Sequence, residues 1–167
     1  MQPIDLEKFF EQQQFDCEKI AHPPLADCKQ ADTLELSRPG VRLKNLFLRD
    51  NYGREHFLLI TRPNKQVDLK KLSKQLGQSR LGFASTERLW CHLRVKPGCV
   101  SMLAVLNNAS NSVTVLLDTD IWQSNDLFQC HPFVNDRTWI VTKSQLEQIF
   151  SFTGHDVAVI SVPERAL

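Results

Sequence analysis

The chain has 167 residues, enough for one domain with a real core and short of what two domains usually need. It is 42% hydrophobic and 23% charged with a formal net charge of +1, which excludes a protein held to nucleic acid by bulk charge and leaves room for a local basic patch. No apolar run approaches the roughly 20 residues of a membrane span, and Met1–Asp5 lacks the basic-then-apolar pattern of a signal peptide. A cytoplasmic protein without membrane contact is therefore expected. The five cysteines (Cys17, Cys28, Cys91, Cys99, Cys130) are scattered, with no Cys-x-x-Cys pair and no zinc spacing. Reduced, mostly buried thiols are expected, with no metal and no cofactor.

In chain order, Ile4, Leu6, Phe9, Phe10, Phe15, Cys17 and Ile20 suggest one amphipathic helix across residues 4–20, ended by His22-Pro23-Pro24. Residues 25–40 read as a connecting segment, with room for a short helix. Residues 1–40 would thus precede a core spanning 41–162. Arg42–Asp50 reads as a strand, Asp50-Asn51-Tyr52-Gly53 as a turn, and His56–Ile60 as the returning strand. Side chains alternate along a strand, so Lys44 shares a face with Leu46 and Leu48, and Asn45 goes with Leu43 and Phe47. A lysine on a leucine row either snorkels out at the strand end or stands in a pocket.

Asp68 is a good N-cap for a helix whose stripe is Leu69, Leu72 and Leu76, and Gly77 suits the position just past its end. Lys70, Lys71 and Lys74 fall mostly on the other face. They read either as a solvated face or, with Arg80, as a phosphate-contact patch. Ser85 caps a second helix carrying Leu89, Trp90 and Leu93, and Lys96-Pro97-Gly98 is a turn. Val113–Asp118 is the clearest strand, followed by one helical turn. Residues 127–130 and 138–141 read as a strand pair. Thr142-x-x-Gln145 fits a capping box for a helix closed by Gly154, and Val157–Ile160 reads as a final strand buried on both faces. Hairpins with interspersed helices predict an α+β single domain with a mixed, curved, partly barrel-like sheet surrounded by helices.

No Gly-x-Gly-x-x-Gly, P-loop, Gly-x-Ser-x-Gly or His-Glu-x-x-His is present. His56 and His92 read as surface or packing residues. His22 reads as a loop residue, and His131 lies at a strand end where side chains often face a cleft. His155 reads as a helix C-terminal cap, and Cys99 and Cys130 as thiols with no neighbouring base. Trp90, Trp122 and Trp139 are not interleaved with basic residues, unlike a single-strand stacking platform.

The ordered set Lys44-Asn45-Leu46-Phe47-Leu48-Arg49-Asp50, His22-Pro23-Pro24, Val67–Leu72, Leu81–Ser85, Pro97-Gly98-Cys99-Val100-Ser101, His131-Pro132 with Asn135, and Thr153-Gly154-His155-Asp156 resembles the YbaK/ProX family of aminoacyl-tRNA editing domains. The likeness runs from about residue 20 to 162 and is nearest to the freestanding prolyl-tRNA editing proteins. It implies a trans-editing deacylase that hydrolyses the ester of mischarged tRNA(Pro), most simply alanyl-tRNA(Pro). A different small amino acid, serine or cysteine, or a non-catalytic relative that binds tRNA or a synthetase, is the alternative. By the resemblance Lys44 is the catalytic lysine, with an electrostatic role. Gly98, Cys99, Val100, Ser101 and Met102 form the substrate loop, and Asn45 and His131 hold the amino acid. Lys70, Lys71, Lys74 and Arg80 contact the tRNA, whose acceptor end is the ligand. Prolyl-tRNA synthetase is an implied partner, and the expected state is a monomer. In one place the chain departs: Met102 stands where the family loop carries proline.

Overall fold

The computed structural model describes residues 2–24 and 39–166. The expected short helix in the connecting segment, and Cys28, lie outside those residues. Helix α1 spans Leu6–Gln12 and opens on Asp5, whose carboxylate accepts the Lys8 amide at 3.1 Å. The single helix expected over 4–20 ends there. Gln14 takes a left-handed conformation (φ 58), and Glu18–Ala21 is strand β1. The reversal folds Phe15 back onto Phe10, ring centroids 5.5 Å apart, and Phe10 also meets Trp139 edge-on at 4.9 Å. Aromatic packing thus overrides the partial helical stripe.

Strands β2 (Lys44–Arg49) and β3 (His56–Thr61) form the expected antiparallel hairpin, with Lys44 opposite Thr61 and Arg49 opposite His56. The Asp50 carboxylate organises the turn by accepting the amides of Arg54 (2.7 Å) and Glu55 (3.0 Å). Gly53 suits the turn: its φ is +68, a conformation that side chains rarely adopt, and an added Cβ would press on the Arg88 guanidinium. Helix α2 (Leu69–Leu76) has Asp68 as N-cap and left-handed Gly77 at its end, as expected. Next come β4 (Gly82–Phe83), α3 (Thr86–Leu93, N-cap Ser85), a 3-10 helix over Met102–Asn107, β5 (Val113–Asp118) and α4 (Thr119–Trp122). Strands β6 (Leu127–Cys130) and β7 (Arg137–Thr142) pair antiparallel. Helix α5 (Lys143–Thr153) carries the full Thr142/Gln145 capping box and stops at left-handed Gly154, before β8 (Val157–Ile160).

The strands divide between two sheets where one curved sheet was expected. A mixed five-stranded sheet has the order β4-β2-β3-β5-β8, and a three-stranded antiparallel sheet has the order β1-β7-β6. Their link is a parallel bridge between Val41 and Phe128, with Val41 N–H donating to Leu127 O at 2.9 Å and Gln129 N–H to Val41 O at 3.0 Å. The link bends the assembly toward a barrel without closing it. Strand β8 is the second departure. Val157 and Val159 are 37% and 42% exposed, because β8 is an edge strand whose other side chains, Ala158 and Ile160, alone pack inward.

Alternation along β2 and β3 sorts their residues into two cores. Leu43, Phe47, Leu58 and Ile60 enter the larger one, with Phe10, Leu93, Met102–Val105, Phe128, Trp139 and Ile149. Leu48, Phe57 and Leu59 enter the smaller one with Leu72, Leu81, Leu116 and Val162, and Leu46 packs at its margin. The N-terminal segment belongs to the larger core through Leu6 and Phe10, and β1 extends the small sheet. His155 does more than cap locally. Its Nδ1 meets Thr153 Oγ1 and its Nε2 meets Asn108 Oδ1, both at 2.8 Å, tying the end of α5 to the end of the 3-10 helix.

Candidate active site

Lys44 starts β2 on the face of Leu46 and Leu48, as alternation requires, just past the cover that α2 gives the smaller core. Half-buried, it does not trail into solvent. Its ammonium donates to the backbone carbonyl of Lys65 at 2.7 Å. That carbonyl is itself held, because Lys65 is 3% exposed and its side chain is clamped by Asp118 Oδ2 (2.7 Å), Asp120 Oδ2 (2.9 Å) and the Val162 carbonyl (2.9 Å). Burial acts against the Lys65 charge, yet hydrogen bonds and charge from both aspartates hold its pKa above the ordinary lysine value. Sequence reasoning missed this cluster. Its only trace was Asp118-Thr119-Asp120 at a strand end.

Asn45 takes the opposite face, between Leu43 and Phe47 on the larger core. Its Oδ1 is buried without a hydrogen-bond partner. His131 is in the same condition at Nδ1. Burial depresses the His131 pKa, while a hydrogen bond to the Arg137 backbone works against that shift, so the ring is neutral at pH 7. Lys44 and His131 each follow the Val41–Phe128 bridge by three positions along the chain (41 to 44, 128 to 131). His22 props the same region. Its N–H donates to the Asp136 carbonyl at 3.0 Å, and its Nε2 meets Thr138 Oγ1 at 2.8 Å.

The loop 96–101 divides into a turn and a bare stretch. Pro97 and left-handed Gly98 (φ +84) close a turn through Cys99 N–H donating to Lys96 O at 3.0 Å. Gly98 is thus present for the turn conformation, and the Cys99 amide is occupied. The amides of Val100 and Ser101 have no acceptor among the described residues. Ser101 Oγ then caps the 3-10 helix by accepting Leu103 N–H at 3.1 Å. Met102 is the first residue of that helix, a position that suits proline, and its side chain is fully buried in the larger core. The resemblance put Met102 among substrate-binding residues; the structure makes it a core residue, with the Ser101 cap holding the turn that proline would stiffen.

Lys70, Lys71, Lys74 and Arg80 are exposed, on α2 and the segment that follows it. Helix α2 covers the face of the large sheet from which Lys44 projects, so the basic side chains and Lys44 share one side of the molecule. The thiols have no nucleophilic setting: burial drives Cys130 up to about 12 and raises Cys99. Cys91 is exposed, contrary to the mostly buried thiols expected. Among the described residues no group of three His, Cys, Asp or Glu is placed to hold a metal, and no helix is long and apolar enough to cross a membrane.

A sequence profile of the family described as "Aminoacyl-tRNA editing domain" matches residues 22–149. The chain belongs to the aminoacyl-tRNA editing domain family. This editing domain is 31% identical over 143 residues to "Prolyl-tRNA editing protein ProX" of Acetoanaerobium sticklandii, covering 86% of this chain and 87% of the relative. It is also 31% identical over 164 residues to "Prolyl-tRNA synthetase associated domain-containing protein 1" of Danio rerio, covering 95% and 89%. The fold matches the crystal structure of a proposed trans-editing enzyme for prolyl-tRNA synthetase with a TM-score of 0.69 and 18% identity, over 96% and 95% of the two chains. Editing an aminoacyl-tRNA is hydrolysis of its ester, so the editing domain is a carboxylic-ester hydrolase.

Proposed function

We propose that the editing domain acts in trans on mischarged tRNA(Pro), with alanyl-tRNA(Pro) as its substrate. The observation that carries this reading is two buried polar atoms without a hydrogen-bond partner, Asn45 Oδ1, next to Lys44 in β2, and His131 Nδ1. Leaving such an atom unpaired costs on the order of 1–3 kcal/mol, which a bound donor would offset. The α-ammonium of an aminoacyl group offers three N–H donors to that pair. The editing of prolyl-tRNA in the name of the Acetoanaerobium relative and the association with prolyl-tRNA synthetase in that of the Danio relative support the choice of tRNA and of partner.

The chemical logic is one of size. A proline-sized site discriminates against a missing methylene by only about 1–3 kcal/mol, so a second site must remove the smaller amino acid. In that second site Lys44 acts electrostatically on the ester or the terminal nucleotide. The amides of Val100 and Ser101, which have no acceptor among the described residues, stabilise the oxyanion that forms as water attacks. The ribose hydroxyl beside the ester activates the water, and His131, kept neutral, serves as an acceptor. Lys70, Lys71, Lys74 and Arg80 grip phosphates near the acceptor end. The editing domain works as a cytoplasmic monomer that meets the synthetase transiently.

A panel of alanyl-, seryl-, cysteinyl- and prolyl-tRNA(Pro) tests the proposal. Alanyl-tRNA(Pro) is hydrolysed fastest and prolyl-tRNA(Pro) is spared. Lys44→Ala lowers the rate by about 100-fold or more, the scale of losing one preorganised electrostatic group. Equal rates for wild type and Lys44→Ala remove Lys44 from the chemistry. Faster turnover of the seryl or cysteinyl ester reassigns the substrate.

A further inference from the structure

A cleft of about 430 Å³ opens between the end of α3 with the 96–99 turn and the 133–136 segment. Its volume falls in the roughly 300–1,000 Å³ range of small-molecule sites. Trp90 offers a half-exposed indole to it, and Arg94 and Lys96 add two cations. The Arg94 guanidinium stands 5.8 Å from the Trp90 ring centroid. Across the cleft the half-exposed Asp136 side chain keeps its Oδ1 buried with no hydrogen-bond partner, and Arg137 Nε stands 4.0 Å from it. Both walls hold a non-glycine residue in the left-handed region, Arg94 (φ 53) and Phe133 (φ 69). Such backbone strain of about 1–3 kcal/mol collects at binding sites.

An aromatic face, two cations and an unsatisfied acceptor are the complement of a nucleotide. We propose that this cleft receives the terminal nucleotide of the tRNA, the adenosine that carries the amino acid. Its base lies against Trp90, its phosphate meets Arg94 and Lys96, and a hydroxyl or exocyclic amine donates to Asp136 Oδ1. The cleft is continuous in sequence with the chemistry. Cys99 lines it and is followed directly by the Val100 and Ser101 amides, and Phe133–Asp136 follow His131. A nucleoside seated there places its ester toward those amides. The inference rests on the deacylase reading for the identity of the nucleotide, and on the cleft alone for its chemistry.

The test is titration of the full chain with AMP, CMP and inorganic phosphate, followed through the indole N–H resonances of the tryptophans. AMP is expected to bind more tightly than phosphate and to shift the Trp90 signal. Trp90→Leu weakens AMP by about 5-fold or more, the scale of one lost base–aromatic stack, and leaves phosphate unchanged. Asp136→Ala weakens AMP as well, whereas a merely electrostatic patch would bind AMP more tightly once that negative charge is removed. Thermal melts of both variants separate loss of binding from loss of fold. AMP binding no tighter than phosphate, or tightened by Asp136→Ala, overturns the inference whatever the deacylation rate. AMP binding with the expected signature in a protein that deacylates nothing keeps the cleft and removes the enzyme reading.

Discussion

Lys65 shows how much of the candidate site hangs on a residue that performs no chemistry. Its buried ammonium joins Asp118, Asp120 and the Val162 carbonyl, and its own carbonyl receives the Lys44 ammonium. Removing one partner of a buried ion pair costs about 3–5 kcal/mol, because the other charges stay buried and unpaired. Lys65→Met is therefore expected to lower unfolding free energy by that amount in urea titration. Measured at a temperature where the variant is still folded, its deacylation rate should also fall, because Lys44 loses its tether. A variant as stable as wild type would show the cluster to be idle. At this scale Lys44 was legible and Lys65 was not. Strand alternation alone put Lys44 on a leucine row, whereas Lys65 lies in Pro63-Asn64-Lys65-Gln66, a run that reads as solvated loop. Only the fold brings the two aspartates to it.

Contacts between elements set the pH response. His56 at the start of β3 and His92 on α3 hold their rings 4.0 Å apart, with Arg88 Nη1 3.1 Å from His56 Nε2 and Phe47 stacked on His56. Burial, then the charges of His92 and Arg88, lower the His56 pKa from 6.5 to about 4; Arg49 adds to the shift and Asp50 opposes it. The folded state thus refuses a proton that the unfolded chain accepts. The stability this group contributes is complete above pH 6.5 and is lost as the pH falls from 6.5 toward 4. His92, His131 and His155 are shifted in the same direction by burial. Melting temperatures between pH 7.5 and 4.5 are expected to fall less steeply for His56→Gln than for wild type; identical slopes would dismiss the contact. Caps and turns were the legible part of the elements, because Asp68, Ser85, Thr142/Gln145 and Gly154 act within a few residues of themselves. Residues 4–20 and β8 were not. The first depended on Trp139 waiting for Phe10, the second on lying at a sheet edge, and neither neighbour is local.

For the molecule as a whole the modest net charge and the exposed lysines of α2 predict a grip on tRNA that is local and salt-sensitive. Each neutralised phosphate contributes roughly 0.7–0.9 to the slope of log affinity against log salt. Replacing Lys70, Lys71 and Lys74 together with Gln should flatten that slope by about 2 while leaving AMP binding in place. An unchanged slope would move the tRNA to another face. Strand β3 is buried along all six residues and flanked on both sides, by β2 and β5. Backbone hydrogen bonds in such a strand open only when the whole domain does. Lys44 is registered directly on it, opposite Thr61, so the lysine is fastened to a strand buried along its whole length. Heat should therefore leave it in working position until the cooperative transition itself, and loss of activity on warming should track loss of fold.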